Sequence, residues 1–263
     1  MPLTTGADDA YFVPLGGGRY RATSHTAGPW DARHQHGGPP SALLARAMRD
    51  VAPDDGRVLA RSTFELLGPV PVGELEVEAA VARPGRSVEL REATMRADGR
   101  EVMRARAWSV RGSQAPALGS APPVPALPAH AAEIPLPWSE SGYVRSIEWR
   151  FARGSFGEPG PAAVWTRLRH PLFPGEEPDS LTRVIVIADS GNGASAELDV
   201  ERWLFINPEL TVHHLRPPVG EWICLEASTI APAGGAGLAS SLISDARGPV
   251  ARGAQALLVA PRD

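Results

Sequence analysis

The chain contains no lysine: all 26 of its cationic residues are arginine. A phosphate-binding G-x-x-x-x-G-K-[ST] loop is therefore excluded. Its one cysteine, Cys224, rules out an intrachain disulfide and fits a reducing cytoplasm. No apolar run approaches the length of a membrane span. The opening MPLTTGADDAYFVPL lacks the basic start and apolar core of a secretion signal. A formal net charge of -4 leaves little for a nucleic-acid-binding face. There is no G-x-S-x-G elbow, which argues against an α/β-hydrolase serine. The seven histidines have no metal-ligand spacing; His213 and His214 are adjacent and would point to opposite faces of a strand. What remains is an ordinary globular composition, 43% hydrophobic and 21% charged. Its 263 residues suffice for one large domain or two ordinary units, with a core that needs no metal or disulfide. Arginine without lysine, with abundant Ala, Gly and Pro, reads as the codon bias of a GC-rich genome.

Residues Gly112 to Trp138 hold seven prolines and one charge. Proline lacks a strand donor and breaks helix interiors, so this segment reads as an extended connector. It divides the chain into units at 1–112 and 139–263, with the linker at 113–138. The halves echo each other. Val72-Gly73-Glu74 matches Val219-Gly220-Glu221 at an offset of 147, and Val102 to Ala105 matches Val250 to Gly253 at 148. Nearly constant spacing points to duplication.

Each half ends in strand patterns. Glu74 to Val81 alternates almost strictly, and Ser87 to Arg96 and Glu101 to Val110 follow turns at Pro84-Gly85 and Asp98-Gly99. Their counterparts are Glu221 to Ala231, Gly237 to Ser244 and Val250 to Val259. Each half also has one helix pattern. Leu44, Ala47, Met48 and Val51 share one helical face, as do Leu181, Val184, Ile185 and Ala188. The second run, Val-Ile-Val-Ile, suits a strand equally well. One helix and an antiparallel meander, twice, is an α+β class. The expected arrangement is a tandem hot-dog, each sheet wrapped around one main helix.

Asp189 closes the second helix pattern, where a carboxylate meets the negative end of the helix dipole. A residue set against local preference is a candidate site residue. Asn207, before a proline, has the ordinary reading of a turn former. Gln255 is an uncharged amide among small and apolar residues of the last strand, and its counterpart in the first half is Ala107. Gly191 to Ala196 fits G-x-G-x-x-A after a run that could be a strand, but a dinucleotide site needs a following helix and further parallel βαβ units, and antiparallel strand patterns follow instead.

With these residues the chain resembles thioesterase-like double hot-dog proteins related to the acyl-CoA thioesterase II family. The likeness rests on Gln35-His36-Gly37-Gly38-Pro39-Pro40, Ala188-Asp189, Arg216-Pro217 with Glu221-Trp222, and Ser228-Thr229 with Gln255. The resemblance implies that an aspartate, a hydroxyl residue and a glutamine hold and activate a water. These roles fall on Asp189, near Asn207, and on Gln255. Asn207 departs from the hydroxyl, though an asparagine also hydrogen-bonds water; Thr211 is a nearby hydroxyl. Backbone N–H groups at a helix N-terminus would hold the thioester oxygen, with Gly37 and Gly38 allowing close approach, so His36, Gly37, Gly38 and Thr211 are expected to contact substrate.

The implied activity is hydrolysis of an acyl-CoA or acyl-carrier thioester, within lipid metabolism, without metal or nucleotide cofactor. Two other functions fit the same architecture: a non-catalytic acyl-CoA or ligand-binding protein, and a hydratase using His36 with an acid. The expected partners are a thioester substrate and, through sheet edges, a second copy of the chain.

Overall fold

The computed structural model describes residues 9–52, 56–112, 119, 121–135, 138–199 and 201–262. The first half contributes strands β1 (Phe12–Gly16) and β2 (Arg19–Ala22), helix α1 (Gly38–Asp50), and strands β3 (Arg57–Leu66), β4 (Glu74–Arg83), β5 (Val88–Ala97) and β6 (Arg100–Arg111). The second contributes α2 (Gly142–Arg145), β7 (Ile147–Ser155), β8 (Glu158–Leu168), α3 (Ser180–Ala188), α4 (Gly191–Ala194), β9 (Trp203–Ile206), β10 (Glu209–His214), β11 (Ile223–Ile230), β12 (Gly237–Asp245) and β13 (Gly248–Pro261). The meander strands and both long helices match the sequence pattern. The hairpins β1–β2 and β7–β8 and the short β9 are additional; only Ile147 to Phe151 among them alternates apolar and polar.

The strands form one antiparallel sheet in the order β1-β2-β4-β5-β6-β3-β10-β13-β12-β11-β8-β7, with β9 on β13. The halves meet where β3 pairs with β10, and Thr63 stands opposite Thr211. These two residues are 148 apart, the offset read from the sequence, so a pseudo-dyad passes between them. The same shift converts other pairs: Val58↔Val110 becomes Ile206↔Leu258, Val77↔Met95 becomes Leu225↔Ile243, and Glu89↔Ser109 becomes Gly237↔Leu257. Even the register irregularity at Met95/Arg96 recurs at Ile243/Ser244. A shared bulge is a feature of strand geometry and not of composition.

Helix α1 packs on β4, β5 and β6, helix α3 packs on β8 and β10 to β12, and the two helices pack on each other. Val184 to Ala188 are all buried, because α3 touches its sheet on one side and α1 on the other. That double burial is why this stretch of the helix reads as strand-like in sequence. Gly38 stands where the helices cross, and a Cβ there would strike the backbone carbonyl of Val186. This is a double hot-dog fold.

Part of the proline-rich connector (113–118, 120, 136 and 137) lies outside the described residues. Residues 121–135 carry no helix or strand and lie against the second half. Trp165 Nε1 donates to the Pro125 carbonyl (3.0 Å), Arg150 to that of Pro128 (3.0 Å), and the Ala132 N–H to that of Trp149 (2.7 Å). No helix among the described residues is long and apolar enough to cross a membrane.

Candidate active site

Asp189 is the C-cap of α3 and is 3% exposed. Its position against the α3 dipole is explained by the neighbouring helix. Helix α1 begins at Gly37-Gly38 with no side-chain cap of its own; its Gly38 N–H donates to His36 Nδ1 (3.2 Å), and the Gly37 and Gly38 amides face the Asp189 carboxylate closely enough to pull its pKa down. The carboxylate therefore sits at the positive end of α1, across the helix crossing.

Three further side chains converge on it. Asn207 Nδ2 donates to Asp189 Oδ1 at 2.8 Å, and Gln255 Nε2 donates to the same oxygen at 3.1 Å. Gln255 Nε2 also reaches the Asp189 carbonyl (3.1 Å), while its Oε1 accepts the Asn192 N–H (3.1 Å). Both ends of that amide are committed, and Gln255 is buried behind Asp189. His36 Nδ1 lies 3.1 Å from Asp189 Oδ2 and 3.2 Å from the Gly38 nitrogen. Two acceptors at such separation need one proton between them. Burial pushes both groups toward neutrality: the carboxyl rises to about 7, against the pull of its donors, and the imidazole falls to about 3.

The His36 ring stacks on Tyr143, with centroids 3.6 Å apart and planes at 3°. Tyr143 is fixed in turn: its hydroxyl donates to the Val186 carbonyl (2.8 Å) and meets Ser190 Oγ (2.6 Å). A cavity of about 470 Å³ opens over this cluster, lined by His36, Gly37, Asp189, Asn192 and Asn207 at its polar end. Its apolar walls include Trp30, Leu66, Val70, Phe205 and Leu258. The volume is that of a small-molecule site.

Asp189, Asn207, Gln255, His36, Gly37 and Gly38 thus come together from α3, the β9–β10 break, β13 and the start of α1. Thr211 does not. Leu210 and Val212 point into the core, so strand alternation turns Thr211 to the opposite face, where it contacts Thr63 (3.4 Å) and Glu209 (3.0 Å). The two α1 amides face the Asp189 carboxylate, which differs from their expected place on a thioester oxygen. The G-x-G-x-x-A stretch follows a helix in an antiparallel fold and forms the four-residue α4, so it lacks the setting of a dinucleotide loop. Sequence reasoning missed Tyr143 and Trp30, which belong to no motif. Asn192 was visible only inside the G-N-G stretch.

Comparison with known proteins agrees with this architecture. A family model described as the acyl-CoA thioesterase N-terminal domain matches residues 26–110, and one described as the C-terminal domain matches residues 119–259. No curated protein matches the chain. Among solved structures, a hot-dog protein of unknown function from Alicyclobacillus acidocaldarius is 18% identical, with TM-score 0.75 over 99% of this chain and 100% of its own. A putative thioesterase II from Thermobifida fusca is 19% identical, with TM-score 0.74 and 99% of both chains covered. An acyl-CoA thioesterase II, TesB2, from Mycobacterium marinum is 15% identical, with TM-score 0.68 over 96% of this chain and 95% of its own. At these identities the structures speak for the fold, and the family models for membership. The chain belongs to the acyl-CoA thioesterase family, with the N-terminal and C-terminal domains of that family in one polypeptide.

Proposed function

We propose that the protein hydrolyses an acyl-CoA thioester in the cytoplasm, with Asp189 as general base toward water. The observation that carries this reading is a buried carboxylate, raised to about 7, at the polar end of an apolar cavity. A base poised near the working pH accepts a proton well and releases it readily. Gln255 positions Asp189 from behind. Asn207 holds it from the cavity side through Nδ2, and its amide oxygen is the acceptor for the attacking water in this reading. Water attacks the thioester carbonyl as its proton passes to Asp189. The tetrahedral intermediate then breaks its C–S bond, and Asp189 returns that proton to the leaving sulfur, releasing acid and thiol. The positive end of α1 favours the negative charge that develops beside it. Release of thiol from acyl-CoAs of graded chain length tests the reading.

Two predictions follow from this geometry. Asn207→Ala is expected to lower kcat about tenfold or more, with KM little changed, because positioning and not binding is lost. Steady-state kinetics checks it; an unchanged kcat would remove Asn207 from the mechanism. The second concerns pH. An ionised base requires kcat to rise with pH through a midpoint near 7. Stability should run the other way. Because the folded pKa lies above the ordinary 3.8, this group's contribution is complete below about pH 4 and is lost as pH rises through 7. Asp189→Asn does not ionise. Its stability relative to the parent should therefore improve by several kcal/mol between pH 4 and pH 8. Urea unfolding at the two pH values measures the difference; a pH-independent gap would contradict the raised pKa.

A further inference from the structure

The cavity over Asp189 continues onto a two-stranded ribbon. Strands β9 and β13 pair with Ile206 opposite Leu258 and Leu204 opposite Ala260. The Arg262 N–H donates to the Arg202 carbonyl (2.9 Å), so the pairing runs on to Arg202 and Arg262. Directly opposed residues share a face, and every second pair returns to it. One face of the ribbon therefore carries Ile206 with Leu258, then Leu204 with Ala260, then Arg202 with Arg262. The first pair lines the cavity. This face is an apolar track that leads away from the Asp189 cluster and ends in two cations.

Both the track and its end are open to a ligand. Trp30, Ile206 and Leu258 all line the cavity, yet they are 45%, 45% and 58% exposed. Arg202 and Arg262 are exposed as well. The Arg262 guanidinium carbon lies 5.2 Å from the centre of the Trp30 ring, which brings its charge to the cavity rim. Arg262 Nε reaches the Trp203 carbonyl at 3.4 Å; its terminal nitrogens have no partner among the described residues, and neither has the Arg202 side chain. Asp31, across the rim, is held by Arg33 at 2.7 Å. Asp199 and Glu201 flank Arg202, and Asp199 accepts the Glu201 N–H (2.9 Å). Among the described residues no carboxylate forms an ion pair with Arg202 or Arg262.

The spacing suits one kind of ligand. Arg202 lies five residues before Asn207, which is about 16 Å at the rise of a strand. The arm that joins the sulfur of coenzyme A, or of an acyl carrier, to its first phosphorus has about thirteen bonds; at the extension of a peptide, roughly 3.6 Å for every three bonds, it also spans about 16 Å. That arm carries an apolar dimethyl carbon just before its phosphate, and arginine is well matched to phosphate.

We propose that the β9–β13 ribbon binds the phosphopantetheine arm of the thioester, with the phosphate on Arg202 and Arg262 and the body of the arm along Leu258, Ile206 and Trp30. The assignment rests on the hydrolytic reading of Asp189, which fixes where the sulfur lies. Arg202 and Arg262 are binding residues, outside the cluster that activates water.

The test compares hexanoyl thioesters of pantetheine, which lacks the phosphate, of 4′-phosphopantetheine and of coenzyme A. In the parent, KM should be at least tenfold lower with the phosphate than without it. The Arg202→Ala/Arg262→Ala double variant should erase that difference and each single variant part of it, with kcat within about twofold and the pantetheine thioester unaffected. Added salt should raise KM for the phosphate-bearing thioesters alone, because exposed charges are screened. A parent indifferent to the phosphate, or a double variant that keeps the preference, would overturn the proposal. Hydrolysis of a hexanoyl carrier protein, set against hexanoyl-CoA, decides which source supplies the arm. Calorimetric titration with free coenzyme A gives a readout that needs no turnover. If no thioester were cleaved, the hydrolytic reading would fail, while binding at least tenfold weaker in the double variant would still support the ribbon site, and equal binding would overturn it.

Discussion

Replacing Asp189 with alanine is expected to lower kcat for acyl-CoA hydrolysis by about 10² to 10⁴-fold. The reason lies in how much of the site this one carboxylate organises. It receives the Asn207 and Gln255 amides, faces the Gly37 and Gly38 amides at the start of α1, and contacts His36. Alanine removes the proton acceptor and leaves those donors facing an empty space. His36 cannot take over, because burial holds its pKa near 3 and its Nδ1 faces the lost carboxylate. The Asp189→Asn variant separates the two losses: it keeps most of the volume and removes the base. Both variants should be inactive to a similar degree, whereas Asp189→Ala should also be the less stable. Retention of more than a tenth of the parent kcat in either one would assign the base elsewhere.

The second large effect is structural. Gly38→Ala is expected to destabilise the protein by about 3 kcal/mol or more, toward the upper end for overpacking. The added methyl would strike the Val186 carbonyl, a backbone atom of α3 that already accepts the Tyr143 hydroxyl. It cannot rotate aside as a side chain would. Relief requires α1 and α3 to separate, and that shift would also withdraw the Gly37 and Gly38 amides from Asp189. Activity and stability should therefore fall together. Gly73→Ala is the control, since a Cβ there meets nothing within 4 Å. Thermal melts of the two variants decide the matter: equal melting temperatures would show that the crossing is not tight.

The fold was legible in the sequence because its two periodicities are strong. The alternation of Glu74 to Val81 marks β4, and the spacing of Leu44, Ala47 and Met48 marks α1. The offset of 147 to 148 anticipated a symmetry that the strand registers repeat pair by pair. The hairpins β1–β2 and β7–β8 were not legible. Ile147 to Phe151 alternates apolar and polar, but the register of β7 on β8 shifts twice after Phe151, so the pattern stops at five residues. Strand β8, with its prolines and its Ala162-Ala163-Val164-Trp165 run, does not alternate. The candidate site was legible in part. Asp189 drew notice as a carboxylate on the wrong end of a helix, and the structure supplies the reason as the right end of another. Thr211 illustrates the opposite case. It is four residues from Asn207 in sequence, but strand alternation puts it on the far face of the sheet. Tyr143 stacks on His36 from a four-residue helix that carries no periodic signal. Such contacts arise only from tertiary packing, so no local pattern encodes them.

One assay bears most directly on the central claim that a buried aspartate activates water against a thioester. The purified chain is offered acyl-CoAs from two to sixteen carbons (about that range), and free thiol is followed with time at several pH values. The account predicts thiol release for at least one chain length, with a rate that climbs through a midpoint near pH 7. Acyl-CoA that stays bound and intact for hours at every length would contradict it and leave a binding protein in its place.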